Sequence, residues 1–145
     1  GVDTGTPYPT TDVNDGGNPH KDGYWYNACR DPWRIGSDYV LTGDADLKTY
    51  LTRMENFFSS STGGTVTNII NGYALDGSGL VAPNPYWIAS EFYNPMMVGA
   101  LCDSRFQSWV NALWTFSKAH PETGYYGTEI QLLCAIVASG NWWTP

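Results

Sequence analysis

The residues best placed to do chemistry crowd into one stretch, GYWYNACRDPWRIGSDYVLTGD, running from Gly23 to Asp44. Tyr24, Trp25 and Tyr26 stand within a few positions of Arg30, Asp31 and Arg34. Flat rings with a polar edge can stack on sugar faces or bases, and a guanidinium can donate to hydroxyls. Other candidates have simpler readings. Arg34 and Asp38 stand at i and i+4 and read as a helix-surface pair. Trp33, Trp109 and Trp114 fall on apolar helix faces and read as core. Trp25, Trp87, Trp142 and Trp143 sit in polar loops or ends, where stacking on a ligand and packing are equally open. Glu91 lies where a helix begins, so it either favours that terminus or works as an acid; the former is simpler. Glu129 reads as a solvated or paired helix residue. His20 and His120 stand alone among polar residues and suggest neither metal nor catalysis.

These residues need elements to hold them. Asp31-Pro32 reads as an N-cap followed by proline at the first helical position. Ile35, Tyr39 and Val40 carry one stripe to a stop at Gly43. Asp44 or Asp46 caps a second helix with Leu47, Tyr50, Leu51, Met54, Phe57 and Phe58 at helical spacing, ending at SSSTGG. A turn-rich connection follows, with at most one or two short extended pieces. A third helix is expected from Ala89 or Phe92 to Leu101, with Pro95 limiting it or in its first turn. Ser104 looks like the cap of a fourth, and a fifth runs from about Tyr126 to a stop at Gly140. The reading is all-α, about five helices in hairpins, preceded by an irregular segment over 1–23 that is dense in Gly, Pro, Asn, Asp and Thr. Residues 24–145 form the helical domain. Long loops at one end of stacked hairpins suit a toroid that gathers its site at helix N-termini.

Bulk properties narrow the partners. A chain of 145 residues can bury one real core. Its formal charge of −7 and pI near 4.4 leave neutral or cationic ligands open and argue against nucleic acid or an anionic membrane. Seven Trp and ten Tyr exceed what a core of this size needs. No apolar run approaches spanning length. Cys29, Cys102 and Cys134 fit no zinc spacing, and neither a metal nor a cofactor is expected. Cys134, inside QLLCAIVASG, reads as a buried hydrophobe. Cys29 and Cys102 lie beside polar residues and leave a single disulfide open. The chain has no initiator Met and no signal peptide, so it reads as mature or cut down. Few charges and abundant Ser, Thr, Gly, Asn and Trp suggest an extracellular protein.

Four pieces, YNACRDPWRIGSDYVLTGD, NGYALDGSGL, FYNPMMVGA and YYGTEIQLLCAIVASGNWWTP, together resemble the C-terminal half of glycoside hydrolase family 8. The resemblance extends from Gly23 to Pro145, in order and with suitable spacing. It implies an (α/α)6 toroid, an inverting mechanism and a sugar chain lying across one face. In cellulase-type members the pattern is an aromatic, an acid that serves as general base, two small residues and an arginine. Here it reads Tyr26, Asn27, Ala28, Cys29, Arg30. The resemblance implies that Arg30 holds base and water, that Tyr26 lines the cleft and that Tyr126 of the YYG motif lies near the catalytic water. Asn27 departs from the pattern, since an amide accepts no proton at ordinary pH. Chitosanase-like branches also have Asn there and take the base from an upstream loop. That loop offers Asp12, Asp15 and Asp22, with Asp15 and Asp22 favoured. The family's general acid belongs to an N-terminal half that this sequence lacks.

Two functions of different class follow. The first is part of an inverting, endo-acting β-1,4-glycan hydrolase of cellulase, β-glucanase or chitosanase type. It would supply the base side and cleft, with Trp25 and Trp87 beside Tyr26 and Tyr126 as sugar-binding rings. Such a chain is expected to be inactive alone and to engage the missing half or a second copy of itself. The second is a non-catalytic carbohydrate-binding or structural module derived from that fold.

Overall fold

A computed structural model describes residues 23–84 and 86–143. The irregular segment expected over 1–23 therefore falls almost wholly outside the described residues. Five helices follow in order: α1 (Asp31–Thr42), α2 (Ala45–Ser61), α3 (Ser90–Gly99), α4 (Gln107–Ala119) and α5 (Tyr125–Ala138). No strand forms among the described residues. Isolated bridges join Tyr24 to Tyr73 and Tyr73 to Gly79, so the turn-rich connection has only that much extended pairing.

Local chemistry explains most boundaries. A 3-10 turn, Ala28–Arg30, leads into α1, so Asp31 is the first helical residue rather than its cap. Pro32 still sits in the first turn, where its missing N–H costs nothing. Gly43 ends α1 in the left-handed region at φ 68°, a conformation that favours glycine. Asp44 caps α2 by accepting from the Asp46 and Leu47 backbone amides at 2.8 and 3.1 Å. The turn before α4 is capped by Asp103, not Ser104, because the Asp103 carboxylate accepts from the Arg105 amide at 3.0 Å. Asp103 also collects Arg105 and Lys48 as ion-pair partners at 3.0 and 3.7 Å. The expected Arg34–Asp38 pair is absent from the ion pairs of the described residues. Arg34 instead lies 5.7 Å from the centre of the Trp33 ring.

Helix α3 is the hub. All ten of its residues are buried, and it packs against α1, α2, α4 and α5. A helix enclosed on every side carries no amphipathic stripe, so its limits are poorly marked in sequence. It begins at Ser90, and Pro95 falls inside it rather than in the first turn. Asn94 gives the Ser90 carbonyl a side-chain donor at 3.1 Å and accepts from the Ser117 hydroxyl at 2.8 Å. The tight packing of α1 on α3 depends on Gly36, where a Cβ would come 2.9 Å from the Val98 carbonyl oxygen. The core gathers Phe92, Met96, Met97, Leu51, Leu113 and Cys134, all without solvent exposure. Of the tryptophans read as core, Trp109 is buried and Trp33 and Trp114 are half-buried. The open disulfide does not form: Cys29, Cys102 and Cys134 are free and buried. Cys102 lies against Thr52 at 3.8 Å and Cys29 against the Tyr26 carbonyl, so each thiol has a different neighbour.

Candidate active site

The loop before α1 and the first turns of α3 and α5 converge. Tyr126, in the first turn of α5, donates its hydroxyl to the Tyr26 carbonyl at 3.1 Å across a hundred residues of sequence. The same carbonyl accepts from the Cys29 thiol at 3.1 Å. Tyr26 is fixed by edge-on contacts with Trp25 at 5.0 Å and Phe92 at 5.2 Å between ring centres. Tyr24, two residues earlier, pairs with Tyr73 through two backbone bonds of 2.8 and 3.0 Å. Its hydroxyl donates to the Cys29 carbonyl at 3.2 Å, closing the turn that presents Asn27 and Arg30.

Arg30 grips Asn27 twice. Nη2 donates to the Asn27 side-chain oxygen at 3.1 Å and Nε to its backbone carbonyl at 3.3 Å. Asn27 is exposed and Arg30 partly so. The guanidinium therefore orients whatever stands at position 27, and the amide there leaves this position without a proton acceptor.

Electrostatics keeps the surrounding groups neutral. Burial, and then the Glu91 and Cys29 charges, push the Tyr26 hydroxyl up. Tyr126 rises to about 12, chiefly by desolvation. Desolvation also pushes the Cys29 thiol to about 12, although Arg30 and the Tyr126 hydroxyl pull the other way. At neutral pH these groups are hydrogen-bond donors and acceptors that can orient a water or sugar hydroxyl. None is a base or a nucleophile.

Glu91, read at the start of a helix, has a neighbour that sequence reasoning missed, Glu122. Glu91 is buried at the start of α3, within electrostatic reach of Tyr26, Tyr126 and Cys29. The Ser90 hydroxyl lies 3.3 Å from Glu91 Oε2 and 3.3 Å from Glu122 Oε2. A Cβ at Gly127 would strike both Glu122 and Ser90 Oγ, which gives the glycine of the YYG motif a steric reason. Glu122 has no motif around it and could not have been found from spacing. Glu129 is exposed, as read.

Placement of the other candidates is mixed. Trp25 packs half-buried against Tyr26, with its ring over Gly72, so it braces the site more than it offers a face. Trp87 is 58 % exposed and lines a separate hollow of about 250 Å³ with Tyr93, Phe116, His120 and Glu122. None of Tyr26, Asn27, Arg30 or Tyr126 borders that hollow. Asp12, Asp15 and Asp22 lie outside the described residues. Among the described residues no group of three or more His, Cys, Asp or Glu could hold a metal ion, and no helix is long and apolar enough to cross a membrane.

No protein-family profile matches the chain. Curated relatives do. A β-glucanase of Niallia circulans is 39 % identical over 121 residues, covering 83 % of this chain and 29 % of that protein. An endoglucanase of Bacillus sp. (strain KSM-330) is 32 % identical over 126 residues, covering 87 % and 26 % respectively. Among solved structures, the apo β-1,3-1,4-glucanase from Paenibacillus sp. X4 superposes with a TM-score of 0.80 at 38 % identity. That match covers 86 % of this chain and 32 % of the other. The chain thus spans roughly a quarter to a third of the length of the proteins it matches. In sequence and in fold it is a stretch of the glycoside hydrolase family 8 type, homologous to proteins named β-glucanase and endoglucanase.

Proposed function

We propose that this chain supplies the cleft and the water side of an inverting, endo-acting β-1,4-glycan hydrolase built as an (α/α)6 toroid and acting outside the cell. One observation carries the reading. The Tyr126–Tyr26 hydrogen bond brings the YNACR and YYG motifs together beside Arg30, at converging helix starts. The homologues' names, β-glucanase and endoglucanase, point to a polysaccharide of the same class.

Inversion needs a protonated acid on the glycosidic oxygen and a base-activated water on the opposite face, with roughly 6.5–9.5 Å between the two carboxyls. In this reading Tyr26 offers a face to the sugar, Arg30 donates to a hydroxyl or to the water, and the neutral Tyr126 hydroxyl helps fix that water. Asn27 cannot take its proton, so Asp22 or Asp15 does. The general acid comes from the remainder of the fold, which this chain meets through its apolar faces.

The test is titration of the chain with cello-, mixed-linkage and chitosan oligosaccharides, followed by amide chemical shifts. Shifts at Tyr26, Arg30 and Tyr126 that vanish in Arg30→Ala are expected. Their absence for every glycan would refute the reading. The non-catalytic binding alternative is favoured by one fact, the amide at position 27. It would be upheld if binding persisted but no upstream aspartate affected turnover in the longer protein.

A further inference from the structure

Outside this site, polar and aromatic groups also gather around a hollow between α2, the start of α1 and the turn at residues 74–77. It is a cavity of about 460 Å³, within the range of small-ligand sites. Tyr50, Arg53 and Phe57 of α2 form one wall, Asp31 and Tyr73 another, and Asp76 the rim. It contains none of Tyr26, Asn27, Arg30 or Tyr126.

The wall is already built without a ligand. Phe57 meets Tyr73 edge-on at 5.3 Å, and Tyr24 is locked to Tyr73 by backbone pairing. Gly77, at φ 87°, lies on the Phe57 ring so closely that a Cβ would come 2.9 Å from it. The turn is fixed by the Ala74 amide donating to the Ser78 carbonyl at 2.8 Å, and by Asp76 accepting from the Ser78 amide and hydroxyl at 2.9 and 2.7 Å. Those bonds keep the Asp76 carboxyl below its ordinary range and charged.

The polar groups facing this space have work left to do. The Arg53 guanidinium and the Tyr50 hydroxyl make no hydrogen bond among the described residues, although a guanidinium carries five donors. The Asp31 carboxylate is half-buried, accepts no hydrogen bond among the described residues and lies within electrostatic reach of Arg30 and Arg34. The lining carries two carboxylates and one guanidinium, a balance that disfavours an anion. Ring edges and faces interleaved with hydrogen-bonding groups of both kinds suit a neutral ring carrying hydroxyls.

We propose that this cavity is a second glycan-binding site, taking one or two hexose units of a neutral β-linked chain. Tyr50 and Phe57 provide apolar surface for the sugar ring, while Arg53, Asp31 and Asp76 bond its hydroxyls. The sugar class rests on the functional reading above, but the site does not depend on the Tyr26–Arg30 cluster. It would hold a polymer while the first site engages another part of it.

The test uses the whole 145-residue chain, cellohexaose as the probe and amide chemical shifts as readout, with Tyr50→Ala/Arg53→Ala and, separately, Arg30→Ala. Two groups of shifts are expected, one at Tyr50, Arg53 and Leu75 and one at Tyr26 and Tyr126. The Tyr50→Ala/Arg53→Ala variant should weaken the first group by about ten-fold, the loss of one ring contact and one charge-assisted bond, and leave the second unchanged. Arg53→Lys, which keeps the charge, should recover part of the loss. Both positions are exposed, and an unchanged spectrum away from the cavity establishes that the variants fold. Shifts confined to Tyr26 and Tyr126, or a variant that binds as tightly as the parent, would overturn the second site alone. Shifts confined to the cavity would uphold it and refute the first site. No shifts anywhere would overturn both.

Discussion

Arg30 and Asn27 hold each other through two hydrogen bonds. A carboxylate placed in the same grip would be kept ionised by the guanidinium. In a protein of the relatives' full length, Asn27→Asp should therefore restore part of the turnover lost in Asp22→Asn or Asp15→Asn, read as kcat with KM nearly constant. No recovery in either background would show that position 27 does not face the attacking water. A second residue tests the core. Glu55 has no solvent exposure, accepts from Trp109 Nε1 at 3.2 Å and leaves Oε1 without a partner against Gly99. Desolvation lifts its carboxyl well above the ordinary range, only partly opposed by the Trp109 bond. The folded value lies above the unfolded one. The associated stability is thus complete below the unfolded pKa and is lost as pH rises towards the folded value, by up to about 1.4 kcal/mol per pH unit. Glu55→Gln should flatten this fall in urea-unfolding profiles, and Glu55→Ala should cost about 2–4 kcal/mol through a cavity and an unpaired indole N–H. Unchanged pH dependence in Glu55→Gln would contradict the assignment. Much at this scale was legible: the YNACR and YYG motifs mark residues that do meet. Glu122 was not, because a hydroxyl shared across thirty-two residues leaves no local pattern.

At the scale of elements, glycines set how closely helices approach. Ala at position 36 gains helix propensity of about 1 kcal/mol, yet its Cβ would press on backbone at Val98, which cannot swing away. Gly36→Ala should therefore be destabilising by about 1–3 kcal/mol, measured by denaturant unfolding; a stabilised variant would mean that α1 can move off α3. Asp44→Ala should cost about 1 kcal/mol by leaving the first amides of α2 unpaired. Helices with a stripe and a punctuated end, α1, α2 and α5, were readable to within a residue or two. The difficult boundaries have physical causes. Helix α3 is buried all round, so no amphipathic stripe marks its limits, and Pro95 falls inside it. Asp103 outcompetes Ser104 as a cap because a carboxylate serves both the Arg105 amide and its guanidinium.

At the scale of the molecule, five helices reproduce a part of a larger fold, and apolar side chains lie open on them. Leu132 is 59 % exposed on α5, Trp143 59 % just beyond it and Tyr125 81 % at its start. Exposed rings and a leucine along α5 and just beyond its end favour association. Sedimentation equilibrium should show the chain self-associating, less so in Leu132→Glu; a strict monomer at high concentration would count against an unpartnered face there. Charge and composition left neutral or cationic ligands open, and the four motifs, not those bulk properties, pointed to relatives named β-glucanase and endoglucanase. On the proposed reading, this stretch furnishes one side of an inverting glycan hydrolase and cannot work alone. Reducing-end release from cellulose, lichenan, xylan and chitosan tests it, assayed on the chain alone and on a protein extended to the relatives' length. The expected result is no turnover by the chain alone and turnover by the extended protein, lost in Arg30→Ala and in either Asp22→Asn or Asp15→Asn. Robust turnover by the chain alone, abolished by Glu91→Gln or Asp22→Asn, would contradict it.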